Sequence, residues 1–552
     1  MPYPLIGSSP MELDEWSDLK RYASELKGAT IRGLFEEDPG RAERLRCVAG
    51  SAVVDFSKNL IDSSVVGTLV RLARRRGLED AIDAMWSGRV INTTENRSVL
   101  HVALRMQNGP ALVVAGSDVV AEVNSVLERM SEFATSVRSG GFRGATGRPI
   151  ATVVNIGIGG SYLGPEMATY ALADYATRDI DFRFVSNIDP AAIASVMESC
   201  DPETTLFVVA SKTFTTLETM TNARVARQWI LDRLGDREDV IAHHFCAVST
   251  NLDLVSGFGI DPANTFGFWD FVGGRYSVDS AVGLSLMVAI GPERFRSFLA
   301  GFAEIDAHMR SQPLESNVPV LMGLLAVWYR NFWGAQTQAI LPYSERLRRL
   351  PAYLQQLVME SNGKSVRLDG NGVEYNTGAV IWGEPGTDGQ HAFYQLLHQG
   401  TTLIPADIVL FAEPVAGPPD QQDLLFANGV AQAAALAFGR SEADLRAAGV
   451  AEEVIPHKRM PGNRPSTVLL FPQLTPRTLG SLIALYEHSV FTQGVIWGID
   501  SFDQWGVELG KEMAADLVGP LVGARAPDIS GMDSSTAGLV AAYRRLRGRP
   551  NS

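Results

Sequence analysis

The sequence predicts an α/β fold: two three-layer α/β/α sandwich domains with mainly parallel sheets, plus peripheral helical N- and C-terminal segments. From Val153 onward, short apolar runs alternate with longer segments whose apolar residues recur at helical spacing. This alternation is typical of parallel βαβ units. At 552 residues the chain is also too long for one ordinary core, since domains usually hold roughly 100–200 residues.

Composition limits the class of protein. With 46% hydrophobic and 20% charged residues, the chain is typical of a globular protein. A net charge of −14 argues against a general nucleic-acid surface. The N-terminus lacks signal-peptide features, and the most apolar stretch, residues 318–329, is too short to cross a bilayer. Three dispersed thiols fit a reducing compartment, so we expect a soluble cytoplasmic protein: Cys47, Cys200 and Cys246.

Residues 1–120 are predicted to be mostly helical. In this segment, residues 65–77 carry apolar side chains at helical spacing and end on glycine. The first sheet is then predicted from four apolar runs: residues 153–158, 182–186, 205–210 and 244–249. Helices separate them, such as residues 191–198, which Asp189 and Pro190 introduce as N-cap and first helical residue.

A second sheet is predicted further along the chain. A helical bridge over residues 282–335 precedes two runs of strand length, residues 379–382 and 408–411, with helical patterns around them. A long helical pattern covers residues 482–499. The chain therefore predicts two α/β units joined by helices.

Glycines follow the first strand of the first sheet, in the segment VVNIGIGGSYLG (153–164). Such glycines let a backbone approach a ligand closely, often a phosphate. The dinucleotide pattern G-x-G-x-x-G fails at Tyr162, and the second strand ends without the required acid. A P-loop fails as well, because proline and glutamate follow Gly164. Taken alone, this segment is also compatible with a tight strand-to-helix turn that binds no ligand.

A hydroxyl-rich turn, SKTFTTLET (211–219), follows another strand and precedes a helix running to about Leu234. Thr215 and Glu218 fit a capping box. The turn holds further polar side chains beyond what a cap requires: Ser211, Lys212, Thr213 and Thr216. A helix N-terminus with hydroxyls beside it can hold one phosphate, and open α/β sheets bind ligands at the carboxyl ends of their strands. A small phosphomonoester fits this cradle best.

Residues 352–364, AYLQQLVMESNGK, predict a helix that Asn362 and Gly363 end. Gln356 and Glu360 are four residues apart and share a face. The last turn of a helix disfavours the carboxylate anion, which makes Glu360 a better base. An exposed glutamate beside a surface glutamine is the alternative.

Further candidate residues lie in two other segments. His391 follows a plausible helix entry, where the dipole favours a neutral imidazole that can give and accept a proton; a structural histidine is the alternative. Arg275 follows two glycines and can neutralise a phosphate or an oxyanion, or form a surface ion pair.

Gln504 and Lys511 are candidates near the C-terminus. They lie seven residues apart in FDQWGVELGKEM (502–513), which on a helix places them on one face. The alternative for Lys511 is a solvated lysine paired with Glu508.

Taken together, these segments resemble the phosphoglucose isomerase family. The resemblance runs from about residue 50 to 512. The strongest matching segments are GFWDFVGGRYSVDSAVGLSL (267–286), MESNGKS (359–365), GQHAFYQLLHQG (389–400) and GVIWGIDSFDQWGVELGK (494–511). Two quieter segments fit as well: INTTENRSVLHVALR (91–105) and HKRMPGNRPS (457–466).

The resemblance implies reversible conversion of D-glucose 6-phosphate to D-fructose 6-phosphate. Glu360 would shuttle a proton between C2 and C1 of the open sugar, and Arg275 would stabilise the cis-enediolate. His391, reaching in from the partner subunit, would handle ring opening with Lys511. The residues implied to bind the substrate and its 6-phosphate are Gly160, Ser161, Ser211, Lys212, Thr213, Thr216, Gln356 and Gln504.

The resemblance also implies the domain plan and the partners. A helical segment, residues 1–120, would pack on the large domain; residues 121–289 would form a small sugar-isomerase (SIS) domain, and residues 290–552 a large one with C-terminal helices. The family forms homodimers and uses no metal or nucleotide cofactor. A sugar phosphate is the implied partner, without nucleic acid or membrane.

Two positions depart from the family pattern. Tyr162 replaces an aspartate in G-G-S-D-L-G-P, and we expect it to narrow the phosphate pocket or repack its outer wall. Asp388 replaces an asparagine before the histidine, where it adds a negative charge near His391 or strengthens the cap. Neither position carries a chemical role, so we expect activity to be retained.

Two other functions remain open at this stage. A catalytically silent SIS protein that senses sugar phosphate would need the cradle but not Glu360, Arg275 or His391. A related isomerase acting on another sugar, such as mannose 6-phosphate, would share both cradle and base.

Overall fold

The computed structural model describes residues 8–107, 109–237, 239–523 and 531–549. The chain divides into two compact units, one ending at Phe502 and one beginning at Asp503. The predicted domain boundaries near residues 120 and 289 stay predictions. Among the described residues, no helix is both long enough and apolar enough to cross a membrane.

The first sheet confirms the predicted βαβ pattern. It has five strands, all parallel, in the spatial order Thr265–Phe266, Phe245–Val248, Thr205–Ala210, Thr152–Ile156 and Asp181–Val185. The four predicted strands are present, and the two-residue edge strand was missed because it is too short for any periodicity to show.

Both faces of this sheet are buried, which explains its continuous apolar strands. Alternate residues of a strand enter different cores: Val153 packs into the main core, whereas Val154 and Ile156 pack into a smaller cluster. Helices Pro190–Met197 and Leu217–Leu234 cover the second face. The sheet is therefore the middle layer of three.

The second sheet has six strands, in the order Arg46–Ala49, Ala52–Asp55, Ser466–Gln473, Ala406–Glu413, Thr337–Pro342 and Val380–Trp382. The last four are mutually parallel, and the first two form an antiparallel hairpin on the edge. Two of these strands were predicted. The prediction of a mostly helical N-terminal segment missed this hairpin, which extends the second sheet.

Helices surround both sheets in the first unit. The α-helices of its N-terminal part are Asp14–Leu26, Ile31–Glu37, Arg41–Arg44, Ser63–Arg75, Leu78–Trp86 and Val119–Arg138. Those around the first sheet are Gly160–Ala171, Pro190–Met197, Leu217–Leu234, Val240–His244, Leu252–Phe258 and Leu284–Ile290. The later ones are Pro292–Ser311, Val318–Asn331, Leu350–Leu354, Tyr394–Gln399, Pro419–Phe438, Glu442–Ala447, Ile455–Lys458 and Pro476–Trp497.

Helix Pro476–Trp497 is the centre of the main core. Nearly all of its residues are buried, and it packs against Pro292–Ser311 and Val318–Asn331, the helices of the predicted bridge. A helix that is enclosed on nearly all sides has no solvated face, so its sequence lacks the amphipathic pattern of a surface helix.

The second unit contains a 3₁₀ turn at Trp505–Val507 and two helices, Glu508–Val522 and Ser534–Leu546. Lys511 lies in the first helix. Gln504 precedes the turn, so the prediction that Gln504 and Lys511 share one face of a single helix was wrong. The tryptophan and glycine after Gln504 form the 3₁₀ turn instead.

Candidate active site

The first glycine loop lies directly against the turn that carries Arg275. Helix Gly160–Ala171 begins four residues after strand Thr152–Ile156. A side-chain Cβ at Gly160 would lie 1.9 Å from the carbonyl oxygen of Gly274. Only glycine permits so close a backbone contact.

The same loop reaches the helix that carries the candidate base. Gly159 has a φ of +57°, and a Cβ there would lie 3.1 Å from Nε2 of Gln356. Ser161 follows in the first turn of the helix, and its carbonyl accepts a hydrogen bond from Asn155 Nδ2 at 3.1 Å. The loop therefore connects the carboxyl edge of the first sheet with Gln356.

The hydroxyl-rich turn lies at that same edge, because its strand pairs in parallel with Thr152–Ile156. Ser211 Oγ and Thr216 Oγ1 share a hydrogen bond of 3.0 Å. Thr216, not Thr215, is the N-cap of helix Leu217–Leu234, and its side chain makes no capping bond. The predicted capping box of Thr215 and Glu218 was therefore wrong, because the helix begins one residue later. The hydroxyl of the actual N-cap, Thr216, bonds to Ser211 instead of to the helix.

Two other side chains of the turn have partners of their own. Thr213 Oγ1 lies 2.6 Å from Thr215 Oγ1. Lys212 Nζ lies 2.6 Å from Asp270 Oδ1 and donates to the Trp269 carbonyl at 3.3 Å. Hydrogen bonding to Lys212 lowers the pKa of Asp270. Lys212 is therefore held by Trp269 and Asp270.

Glu360 and Gln356 lie on one face of a helix, as predicted. An α-helix at Leu350–Leu354 continues as a π-helix over Gln355–Glu360, a distortion often found at functional sites. Gln356 Nε2 donates to Glu360 Oε2 at 2.8 Å. Gln356 Oε1 is buried without a hydrogen-bond partner among the described residues, so it can accept a hydrogen bond from a ligand.

Arg275 is buried and faces Glu360. Its Nη1 lies 3.7 Å from Glu360 Oε2, and the glutamate side chain keeps 21% of its surface exposed. Arg275 Nε donates to Ser361 Oγ at 2.6 Å, and Nη2 donates to the Ser501 carbonyl at 2.6 Å. The surface ion-pair alternative for Arg275 is therefore wrong. The sequence analysis missed Ser361, although it follows Glu360 directly.

His391 ends a short 3₁₀ helix, Asp388–His391, and is exposed. Its ring makes no hydrogen bond with any part of the chain that the structure describes. Arg348 Nη2 binds the Asp388 carboxylate at 2.6 Å. The charge introduced by the aspartate is therefore paired with an arginine.

The side chain of Tyr162 contacts a residue of its own helix, four positions further along. Its hydroxyl donates to Glu166 Oε1 at 2.8 Å, and Glu166 Oε2 lies 2.5 Å from Arg349 Nη2, at the start of the helix that leads to Glu360. Burial, with Glu166 nearby, raises the pKa of Tyr162 to about 12. Tyr162 and Glu166 thus connect helix Gly160–Ala171 with Arg349, and the effect of this tyrosine on a phosphate pocket stays a prediction.

A buried cluster of charges surrounds Arg105. Arg105 makes two bonds to Asp306, at 2.7 and 2.9 Å, and lies 3.0 Å from Asp279. It also lies 2.9 Å from Glu487. Burial raises the pKa of Glu487 to about 8. Burial is also the largest effect on Asp306, but the charges and hydrogen bonds of Arg105 and His488 together outweigh it and lower the pKa to about 2.

A carboxylate and a buried guanidinium lie side by side, and the glycine loop next to them lies at the same sheet edge as the hydroxyl-rich turn. A carboxylate can remove a proton next to a carbonyl, and a fixed cation can stabilise the oxyanion that results. Among the described residues, no group of three or more His, Cys, Asp or Glu side chains is arranged to hold a metal ion. Fold and site together define an α/β protein equipped for proton transfer at a carbonyl compound.

Comparisons with known proteins identify the family. The family model described as phosphoglucose isomerase matches residues 55–540. A glucose-6-phosphate isomerase of Rhodococcus opacus (strain B4) is 56% identical over 540 residues, covering 97% of this chain and 98% of that protein. A glucose-6-phosphate isomerase of Gloeobacter violaceus is 56% identical over 532 residues, covering 96% of this chain and 97% of that protein.

A solved structure supports the same assignment. The crystal structure of a glucose-6-phosphate isomerase from Chlamydia trachomatis superposes with a TM-score of 0.85 at 34% identity, covering 98% of this chain and all of that one. The chain belongs to the phosphoglucose isomerase family, and it is an isomerase.

Proposed function

We propose that this chain interconverts D-glucose 6-phosphate and D-fructose 6-phosphate through a cis-enediolate, with Glu360 as the base. The observation that carries the proposal is the position of its carboxylate. It accepts a hydrogen bond from Gln356, whose amide lies beside the glycine loop, and it lies 3.7 Å from a buried arginine. The base and the cation are thus neighbours, and the glycine loop of the first sheet lies beside Gln356, which supports a substrate site at this edge.

The chemistry requires this combination of groups. In the open sugar, Glu360 takes the proton from the carbon next to the carbonyl and returns it to the neighbouring carbon. Arg275 stabilises the negative charge that develops on oxygen, a contribution worth about 3–4 kcal/mol for one preorganised donor. Proton transfer by a placed base contributes roughly 10²–10⁴-fold in rate. The buried acceptor Gln356 Oε1 fits a sugar hydroxyl.

The phosphate group would bind at the carboxyl edge of the first sheet. We assign it to the side chains of Ser161, Ser211, Thr213 and Thr216, with Lys212 and the Gly160 backbone beside them. The absence of a side-chain cap at Thr216 supports this assignment, because the first N–H groups of the following helix can then bind an anion. Gln504 is assigned to substrate positioning.

We further propose a cytoplasmic homodimer in which His391 enters the site of the partner subunit, where it opens the sugar ring together with Lys511. The exposure of His391 supports the shared site. The three cysteines are free thiols, which fits the reducing conditions of the cytoplasm. The test is to mix two inactive variants, Glu360→Gln and His391→Leu. Mixed dimers hold one intact site, so roughly a quarter of the wild-type activity should return; no recovery would refute the shared site.

The decisive test of function is a coupled assay of glucose 6-phosphate formation from fructose 6-phosphate, with EDTA and without added cofactor. Glu360→Gln should lower kcat by at least roughly 10²–10⁴-fold while calorimetry still detects fructose 6-phosphate binding. The control is Glu374→Gln, an exposed glutamate, which should behave as wild type. An inactive wild-type protein would refute the function, and a fully active Glu360→Gln variant would refute the base.

A further inference from the structure

Ser361 is the residue directly after the proposed base, and it is completely buried. Its hydroxyl has two partners, Arg275 Nε at 2.6 Å and the Tyr276 hydroxyl at 2.9 Å. A buried serine in a helix more often bonds to a backbone carbonyl of the preceding turn. Here the side chain instead connects the helix of Glu360 with the turn of Arg275.

The direction of these bonds follows from their chemistry. An arginine side chain only donates, so Ser361 Oγ accepts from Nε. Burial raises the pKa of Tyr276 to about 12, so its phenol stays protonated near neutral pH and can exchange a hydrogen bond with the serine. The ring of Tyr276 stacks on His101, with centroids 4.7 Å apart. The stacking on His101 positions the Tyr276 ring, whose hydroxyl bonds to Ser361.

The orientation of the guanidinium depends on this serine. Two short bonds, from Nε to Ser361 and from Nη2 to the Ser501 carbonyl, define the plane of the group, since a guanidinium is rigid and flat. Nη1 then lies 3.7 Å from Glu360 Oε2. This distance is longer than a charge-assisted hydrogen bond, so the cation is close to the base without being bonded to it.

We propose that Ser361 is a positioning residue: its hydroxyl holds Arg275 away from a direct hydrogen bond with Glu360, so that the carboxylate stays a reactive base with the guanidinium beside it. This inference rests on the proposed function. Without the hydroxyl, Nε loses its acceptor, and a buried donor seeks another one. Glu360 Oε2 is an anionic acceptor only 3.7 Å from Nη1, and a bidentate pair between Arg275 and Glu360 would weaken the base.

The variants Ser361→Ala and Ser361→Cys test the proposal. Cysteine keeps the volume but accepts hydrogen bonds weakly, so it controls for packing. Both should lower kcat by roughly 10- to 100-fold and change KM by less than about three-fold. In both, the acidic limb of the pH–rate profile should move to lower pH, because pairing with Arg275 favours the ionised carboxylate. Tyr276→Phe removes one partner of Ser361 but keeps its hydroxyl for Arg275, so kcat should fall less than in the two serine variants.

The matched control is Ser481→Ala, a buried serine that bonds to the Gly301 carbonyl at 3.1 Å and should leave kcat and the pH profile unchanged. Wild-type kcat in Ser361→Ala would overturn the proposal. So would a fall in kcat with an unmoved acidic limb, since a purely structural loss predicts that result. If the wild type is active and Glu360→Gln is not, such results refute the role of Ser361 alone and leave the proposed function intact.

Discussion

Asp407 lies near the start of a central strand of the second sheet, where it lines a cavity of about 40 Å³. Its Oδ2 accepts hydrogen bonds from the Tyr486 hydroxyl and from Gln338 Nε2, both at 2.9 Å. Burial raises the pKa of this carboxyl from 3.8 to about 7, against the opposing effect of these two bonds. At alkaline pH the folded protein therefore carries a buried, ionised carboxylate whose two hydrogen-bond partners, Tyr486 and Gln338, are both uncharged.

The effect of pH on stability follows from the direction of this shift. Because the folded pKa is higher than the unfolded one, the folded state binds the proton more tightly, so its stability is greatest below about pH 4 and falls until about pH 7. Each pKa unit corresponds to 1.36 kcal/mol. The difference between 3.8 and about 7 is therefore a loss of about 4 kcal/mol in the free energy of unfolding.

Asp407→Asn should remove this loss. An asparagine has the same shape, and its carbonyl can accept both hydrogen bonds at any pH. Urea denaturation followed by fluorescence at about pH 5 and about pH 8 should show the variant gaining stability over the wild type as the pH rises. Asp83→Asn, an exposed aspartate, is the control. A stability difference that stays constant between the two pH values would refute the argument.

Three further predictions concern the site and its support. Ser211→Ala combined with Thr213→Ala should raise KM by at least roughly 10-fold with little change in kcat, whereas Ser195→Ala should not; an unchanged KM would place the phosphate elsewhere. Arg275→Lys should lower kcat by roughly 10²–10³-fold in the coupled assay, since lysine cannot satisfy Ser361 and Ser501 together, and full activity would contradict its role. Asp306→Asn should lower the free energy of unfolding by roughly 3–5 kcal/mol, because it leaves the buried Arg105 with less compensation. The control Asp174→Asn breaks a partly exposed pair with Arg346 and should lose less than about 1 kcal/mol; equal losses would refute the argument from burial.

Local spacing in the sequence was enough to predict four of the five strands of the first sheet. Its strands are continuous apolar runs between helical patterns, and all four predicted ones are present. Asp189 caps helix Pro190–Met197 as expected, with its side chain accepting from Ala191 N–H at 2.9 Å. These features depend on neighbours a few residues apart, so the sequence carries their signal directly.

The second sheet was predicted less completely. Its edge hairpin, Arg46–Ala49 and Ala52–Asp55, lies in a segment of helical character, and its strands have only four residues each. Strand Ser466–Gln473 shows a mixed burial pattern. Short strands gain their stability from pairing with distant strands, and this contribution leaves little local trace.

The sequence by itself determined the βαβ order, the glycine loop and the shared face of Gln356 and Glu360, because each follows from spacing along one strand, turn or helix. Only the tertiary structure decided that Arg275 lies beside Glu360, that Ser361 holds this arginine and that Lys212 pairs with Asp270. These contacts join segments far apart in the chain. Their distances are set by how the layers pack, which no local periodicity encodes.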